Sequence, residues 1–216
     1  FNESSKYSIS LTEHNYSNPS EQESIRGKYC VQFMKFQNDQ YGLEALIWWR
    51  EKCLEWCYAY YEDGKFGDQL YLDYCRSRFK KVCVIKNKGA GIAPWNMDQY
   101  SYKIDLDGVL ATMKNNNMII PIVFFHFHSF KIYKNNTVKL SYYVMEEDII
   151  ESVYVKYVNA IIESEKSIMN IINSRKDYFR DEMEKRTFTN KLRELKHRYL
   201  KIYNVFDLNK FSSRYG

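Results

Sequence analysis

The sequence predicts an α/β fold in which strands and helices alternate before a helical C-terminal region. The stretch "YCVQFMKF" (29–36) places aromatic and aliphatic residues in near alternation, as a half-buried strand does. Apolar residues recur three and four positions apart between Leu43 and Tyr61, which is typical of an amphipathic helix. From Glu146 to about Tyr203 the pattern is helical.

The elements up to Gly64 follow from local patterns. "YSISLT" (7–12) predicts a first strand, and a polar stretch rich in Ser, Asn and Glu predicts a loop up to residue 28. The helix that begins at Leu43 presents one wide apolar face, formed by Leu46, Trp49, Cys53, Trp56, Cys57 and Tyr60. Gly64, within "EDGKFG", is predicted to stop this helix at its C-terminal end.

Shorter elements are predicted beyond Gly67. They are a helix that runs to about Phe79, a buried strand at 82–86, a glycine-and-proline loop at 87–96, a turn at 105–108, a strand at 118–128 interrupted by Pro121, and a strand at 139–144.

Size and composition indicate one globular domain or most of one. The chain has 216 residues, of which 45% are hydrophobic and 17% aromatic, which is ample for a core and excludes disorder over the whole length. It begins with Phe1 instead of Met, which predicts either a processed chain or a piece of a longer one.

Cysteine usage predicts a cytoplasmic protein. The five cysteines form no CxxC pair, and an odd number fits buried thiols better than a disulfide framework. Cys53 and Cys57 lie one helical turn apart, where packing is favoured over metal binding. No signal peptide pattern is present, and the apolar run from Met118 to Phe127 is far shorter than the roughly 20 residues that cross a bilayer.

The positive charge is concentrated in residues 175–201. This segment has ten Lys/Arg and five Asp/Glu, and the difference of five equals the net charge of the whole chain, +5. A solvated helix face explains it most simply, and peripheral contact with anionic lipid at the inner face of the membrane is the sharper alternative. Nucleic-acid binding is disfavoured because charges of both signs interleave and no reading motif accompanies them.

Asp68 and Gln69 stand together at the start of an apolar stretch, in "GDQLYLD". The Asp68 carboxylate can cap the helix that follows Gly67 by accepting backbone N–H groups. Alternatively, one acceptor and one amide side by side can bind neighbouring hydroxyl groups, which is the contact that sugars need. The local pattern leaves both interpretations open.

Two histidines end the apolar strand in "FFHFHSF". His126 and His128 should share one face of the strand, because alternate residues point the same way. Such a pair favours a metal ion or a diphosphate as partner, although ordinary hydrogen-bonded histidines remain the alternative. Gly89 and Gly91 in "GAGIAPWN" allow a close backbone approach, but short glycine loops are common.

The series of motifs resembles a known enzyme family. In order, "SISLTEH", "GKYCVQFMKFQND…LIWWREKCLEWC", "DGKFGDQLYLD", "GAGIAPWN" and "FFHFHSF" resemble bacterial nucleotide-sugar glycosyltransferases of the GT-A fold, related to glycosyltransferase family eight. The resemblance covers roughly residues 5–132. It implies a mixed sheet flanked by helices, a GT-A domain at 1–145 with its first βα units missing, and a helical extension at 146–216.

The resemblance also assigns residues. It implies that Asp68 and Gln69 are catalytic residues against the donor sugar and acceptor, and that His126 binds a divalent metal, Mn²⁺ or Mg²⁺, beside the diphosphate. The implied substrate-binding residues are His14, Cys30, Gln32, Lys65, Gly89, Trp95, Asn96 and His128. The implied partners are a nucleotide sugar, with UDP as its expected nucleotide, and a glycan or lipid-linked acceptor.

Three departures from the family pattern stand out. Cys30 occupies a position where an amide is expected, and Ser129 one where glycine is usual. The DxD carboxylates that hold metal and nucleotide normally lie before the segment where this sequence opens; Asp105-Leu106-Asp107 comes too late in the order and is predicted to be a turn.

The implied activity is hexose transfer in cell-surface polysaccharide synthesis. A divalent ion would stabilise the leaving diphosphate as a Lewis acid, while Asp68 and Gln69 fix the sugar hydroxyls. Gln69 can stabilise a developing cation but cannot act as a base. The alternative is a non-catalytic GT-A remnant that acts as an interaction or structural subunit.

Overall fold

A computed structural model describes residues 4–169, 171 and 188–215 and has a mixed α/β architecture. The chain forms two compact units. The first contains residues 1–96 together with 123–126, and the second contains 97–122 together with 127–216. Residue 146, where the sequence suggested that a helical extension begins, lies inside the second unit.

The first unit is built on a three-stranded sheet. Strand β1 (Ile9–Glu13) lies between β2 (Tyr29–Phe36), to which it is antiparallel, and β5 (Val82–Val84), to which it is parallel. All three were predicted. The core beneath the sheet consists of Ile9, Leu11, Tyr29, Ala45, Leu72 and Cys75.

A short helix replaces the loop that was predicted before residue 28. Helix α1 (Pro19–Arg26) has proline in its first turn, where a missing N–H costs nothing because no intrahelical acceptor is available. The N–H of Gly27 closes the helix on the carbonyl of Glu23. The loop prediction was wrong because α1 has few apolar residues and therefore little helical periodicity.

The long helix is shorter than predicted. Helix α2 (Gln40–Glu55) begins after Asp39, whose side chain accepts a hydrogen bond from the N–H of Gly42, and ends because Trp56 is extended. Its buried residues are Gly42 and Ala45, whereas Leu46, which was assigned to the apolar face, is 36% exposed.

A hairpin occupies the segment where Gly64 was predicted to stop the helix. Strands β3 (Tyr61–Glu62) and β4 (Lys65–Phe66) are joined by Asp63 and Gly64, with φ of 47° and 73°. An Asp-Gly pair with both residues at positive φ is the preferred two-residue hairpin turn. A 3₁₀ turn (Leu70–Tyr74) and helix α3 (Cys75–Arg78) follow, as the predicted short helix required.

The apolar stretch 118–128 forms two strands instead of one. Strand β9 (Ile119–Pro121) pairs in the second unit, and β10 (Phe124–Phe125) pairs in the first unit with β6 (Ala90–Ile92). Pro121 is tolerated in β9 because it lies opposite Leu110 at a non-hydrogen-bonded position of an edge strand, and the N–H of Ile122 still donates to the Val109 carbonyl. His126 and His128 lie beyond β10, so the prediction that they share one face of a strand was wrong.

The second unit contains two antiparallel sheets. In one, β7 (Tyr100–Asp105), β8 (Gly108–Met113) and β9 are consecutive neighbours, and the turn at Asp105–Gly108 was predicted correctly. In the other, β12 (Thr137–Lys139) lies between β11 (Lys131–Ile132) and β13 (Val205–Asp207). The strand predicted at 139–144 therefore overlaps the observed strand only at Lys139.

Helices complete the second unit, as predicted for the part that the structure describes. They are α4 (Glu147–Ile149), continued by a π-helical turn (Ile150–Tyr154) into α5 (Val155–Met169), then α6 (Phe188–Tyr199) and α7 (Leu208–Tyr215). Residues 172–187, which hold half of the basic segment, lie outside the described residues. None of the described helices combines the length and apolar character needed to span a bilayer.

Candidate functional site

Most of the predicted site residues belong to the first unit, where His14 is the central side chain. His14 follows directly after β1 and is only 2% exposed. Its ring stacks on Tyr16 with 4.5 Å between centroids and meets Trp95 edge-on at 5.3 Å. Its Nδ1 lies 3.3 Å from the carbonyl oxygen of Lys28.

His14 connects the two parts of the site that the sequence separated. The pKa of His14 is lowered to about 4, mainly by burial and to a smaller extent by the nearby His126, whereas the carbonyl of Lys28 and the side chain of Gln69 act in the opposite direction. His126 also packs on Trp95, with 5.2 Å between ring centroids. His14 is therefore neutral at pH 7 and lies near both Gln69 and His126.

Asp68 is held by its backbone instead of acting as a helix cap. The indole Nε1 of Trp49 donates a hydrogen bond of 2.8 Å to the Asp68 carbonyl, and the N–H of Gly67 donates to the carbonyl of Tyr58 at 2.9 Å. The 3₁₀ turn after Asp68 begins at Leu70, with Gln69 at the N-cap position and no side-chain capping bond. The helix-cap interpretation of Asp68 was therefore wrong.

The Asp68 carboxylate lies near Cys30. The pKa of the Cys30 thiol is raised to about 12, mainly by burial and also by the negative charge of Asp68. Cys30 is on β2 and is 2% exposed. A protonated thiol beside the carboxylate makes Cys30 a packing residue with no nucleophilic character at neutral pH.

Gln32 has a buried amide that lacks a partner. Neither its Nε2 nor its Oε1 makes a hydrogen bond within the described part of the chain, although both atoms are buried. It lies against Gly91 of β6, where a Cβ atom would come within 2.4 Å of the Gln32 Nε2. Leaving a buried amide unpaired costs about 1–3 kcal/mol for each polar group.

Asn96 and Trp95 support the site from behind. The Asn96 side chain, which is 1% exposed, donates to the carbonyls of His14 at 2.7 Å and Gly91 at 3.1 Å and accepts from the N–H of Ala93 at 2.9 Å. The indole of Trp95 also donates to the His14 carbonyl, at 2.9 Å. Through these bonds, Asn96 holds the backbone of His14 and Gly91, and Trp95 holds that of His14.

Three predicted residues have other surroundings. The Lys65 ammonium lies 5.4 Å from the centre of the Trp56 ring, on the β3–β4 hairpin. The Gly89 carbonyl accepts a hydrogen bond from Val123 at 2.9 Å. His128 belongs to the second unit, where its Nε2 lies 2.8 Å from the hydroxyl of Tyr142.

These residues alone do not provide enough ligands for a metal ion. Across residues 4–169, 171 and 188–215, no group of three or more His, Cys, Asp or Glu side chains is arranged to hold a metal ion. His14 and His126 bring two imidazoles near one another, which is fewer ligands than a stable site requires. A metal at His126 would need ligands that the described residues do not supply.

Sequence reasoning missed two residues that shape the site. Trp49 was assigned to an apolar helix face, but its indole N–H fixes the Asp68 backbone. Asp73 accepts hydrogen bonds from the backbone N–H groups of Lys28 and Tyr29 at 3.0 and 3.2 Å, which holds the turn beside His14. The available signal was that buried indole and carboxylate groups need partners.

Two curated proteins of Bacillus subtilis (strain 168) are similar to this chain. It is 36% identical over 115 residues to "Uncharacterized protein YfnF", which is 53% of this chain and 36% of YfnF. It is 28% identical over 139 residues to "Uncharacterized protein YfnD", which is 61% of this chain and 42% of YfnD. The chain thus spans well under half the length of either relative. No protein-family model and no solved structure matches it.

Proposed function

We propose that this chain is the sugar-binding part of a GT-A glycosyltransferase, which moves a hexose from a nucleotide sugar, with UDP as the expected nucleotide, to a glycan or lipid-linked acceptor. Cell-surface polysaccharide synthesis on the cytoplasmic side is part of this proposal. The observation that carries it is the buried, unpaired amide of Gln32 beside Gly91, in the unit that also contains Asp68, Gln69 and His126.

The chemistry of this group of residues suits a hexose. Sugar hydroxyls both donate and accept, so they can pair with the Asp68 carboxylate and with the Gln69 and Gln32 amides. Gly91 has no Cβ, so the Gln32 amide can lie directly against its backbone. The Nδ1 of neutral His14 faces the Lys28 carbonyl and donates to it, so Nε2 is left as an acceptor. Such contacts orient the donor without transferring a proton.

The proposed enzyme would also use a divalent metal, Mn²⁺ or Mg²⁺. His126 would contribute one imidazole, and the remaining ligands would have to come from outside the described residues. When bound, such an ion would supply positive charge for the leaving diphosphate. The role of Asp68, Gln69 and Gln32 in holding the sugar does not depend on it.

Replacing Asp68 by Asn tests the proposal. A charge-assisted hydrogen bond to a sugar hydroxyl contributes about 1.5–3 kcal/mol, so Asp68→Asn should lower kcat/KM for UDP-hexose turnover by about 10- to 100-fold. Release of UDP from UDP-glucose and UDP-galactose is the measurement. The fold should be unchanged, because the site uses the Asp68 carbonyl for its internal bond.

Asp63→Asn is the matched control. Asp63 lies in the neighbouring hairpin turn at φ 47°, a conformation that Asn adopts as readily as Asp. It should leave turnover unchanged. Equal turnover by the Asp68→Asn variant and the unmodified protein would remove Asp68 from the site.

The non-catalytic alternative is favoured by one observation, the lack of a three-ligand metal group within the described residues. A remnant that still binds sugar would show a raised melting temperature with UDP-hexose but no UDP release, with or without Mn²⁺. If UDP-hexoses caused neither a rise in melting temperature nor UDP release, both the enzyme and the sugar-binding remnant would be contradicted.

A further inference from the structure

Helix α6 turns its apolar side towards solvent. Leu192, Leu195 and Tyr199 are 51%, 63% and 86% exposed. They are spaced three and four residues apart, which places them within a sector of about 60° on a helix with 100° per residue. We call these three side chains the apolar stripe.

The opposite side of α6 is polar and less exposed. Asn190, Glu194 and His197 are the half-buried positions of the helix. Glu194 binds Arg198 at 2.8 Å, and the Arg198 guanidinium lies 4.1 Å from the centre of the Tyr203 ring. A helix that packs on a core normally has the reverse arrangement, with its apolar face buried.

Basic residues surround the apolar stripe. Lys191 and Lys196 lie on either side of it, and both are exposed. Residues 188–201 contain five Lys/Arg (191, 193, 196, 198, 201) and one acidic residue (Glu194), so their net charge is 5 − 1 = +4. An exposed apolar stripe bordered by lysines matches a surface that is apolar inside and negatively charged outside.

We propose that α6 is a membrane-surface helix that lies in the plane of an anionic bilayer. The apolar stripe enters the boundary between headgroups and acyl chains, where tyrosine is favoured, and Lys191 and Lys196 contact the anionic headgroups. The charge distribution favours lipid over a second protein, because the residues that border the stripe are lysines and Lys is depleted in most protein interfaces. This proposal names a partner and does not rest on sugar transfer.

Vesicle binding tests the membrane proposal. The intact protein should sediment with vesicles of 70% phosphatidylcholine and 30% phosphatidylserine at 50 mM salt, and weakly with pure phosphatidylcholine. Each Lys or Arg near such a surface contributes about fivefold to the partition coefficient. Lys191→Glu combined with Lys196→Glu should therefore reduce binding by at least about 20-fold. Leu195→Ser removes an apolar side chain from the membrane boundary and should reduce binding by at least about fivefold.

Exposed positions on β7 give matched controls. Lys103→Glu makes the same charge change and Ile104→Ser, at a side chain that is 57% exposed, makes a similar apolar-to-polar change. Neither should alter binding by more than about twofold. Equal binding by the α6 and β7 variants, or equal binding to neutral and anionic vesicles, would overturn the proposal. The proposal would also be overturned if the protein self-associated, did not bind vesicles, and became monomeric on Leu195→Ser.

Discussion

Gly91 shows how one residue without a side chain makes room for a neighbouring amide. Its φ of 114° is unfavourable for other residues, and its missing Cβ leaves room for the Gln32 amide. The Gln32 amide in turn stays buried without a partner inside the described chain. The unpaired buried amide costs free energy, whereas glycine adopts the positive φ without strain.

Gly91→Ala should destabilise the first unit by about 2–4 kcal/mol. A Cβ atom would lie 2.4 Å from the Gln32 Nε2, and the backbone strain at φ 114° adds to this clash. Urea unfolding gives the measurement. Gly67→Ala is the control, since Gly67 has φ of 52° but nothing within 4 Å of its added Cβ. A loss no larger than that of the control would show that the Gln32 side chain moves freely aside.

His14 should make folding sensitive to acid. Its pKa, lowered by burial to about 4 from about 6.5 in the unfolded chain, means that the folded state favours the neutral ring. The stabilisation is complete above pH 6.5 and is lost as the pH falls from about 6.5 towards 4, by up to about 3 kcal/mol.

The pH dependence of His14 can be separated from that of the carboxylates by comparison. The free energy of unfolding at pH 7.5 and at pH 4.5 is measured for the unmodified protein and for His14→Gln. The variant should lose clearly less stability between the two pH values. An equal loss would place the acid-sensitive group elsewhere.

At the scale of elements, the sequence predicted the helices and strands that carry a clear helical or alternating pattern. Strand β2 alternates along 29–36 and was found with those bounds. Strand β6 was missed because it has only three residues, Ala90–Ile92, with a glycine at its centre, a residue that is depleted in strands. The β3–β4 hairpin was missed because glycine at positive φ serves both helix ends and hairpin turns, and only the Asp before Gly64 distinguishes them.

Asp39 should determine where α2 begins. Its carboxylate accepts from the Gly42 N–H at 2.9 Å and from the Ser8 hydroxyl at 2.7 Å. Asp39→Ala removes both bonds and should lower the midpoint of urea unfolding, while Asp39→Asn should keep most of the stability. Urea unfolding of the two variants is the measurement. Equal losses would mean that charge, not the capping geometry, stabilises the helix start.

At the scale of the whole molecule, the sequence named candidate site residues but gave no sign of the boundary after Asn96. The resemblance named Asp68, Gln69, His14 and His126 before any geometry was known, and all four fall in the first unit. His128 was named with them but belongs to the second unit. The boundary after Asn96 carries no linker-like composition, because the chain passes directly into a 3₁₀ turn (Met97–Gln99) and β7.

The solvent-facing stripe of α6 was likewise not predictable from charge counting. The sequence showed a basic segment, but whether the apolar residues of an amphipathic helix point inward depends on what packs against it. Here Asn190, Glu194 and His197 take the inner positions.

The four tryptophans of the chain, Trp48, Trp49, Trp56 and Trp95, all belong to the first unit. Light emitted on selective excitation of indole therefore comes from that unit alone, whatever the other one does. Trp49 and Trp95 border the Asp68 turn and His14 directly, so occupancy there should change their emission without any added label.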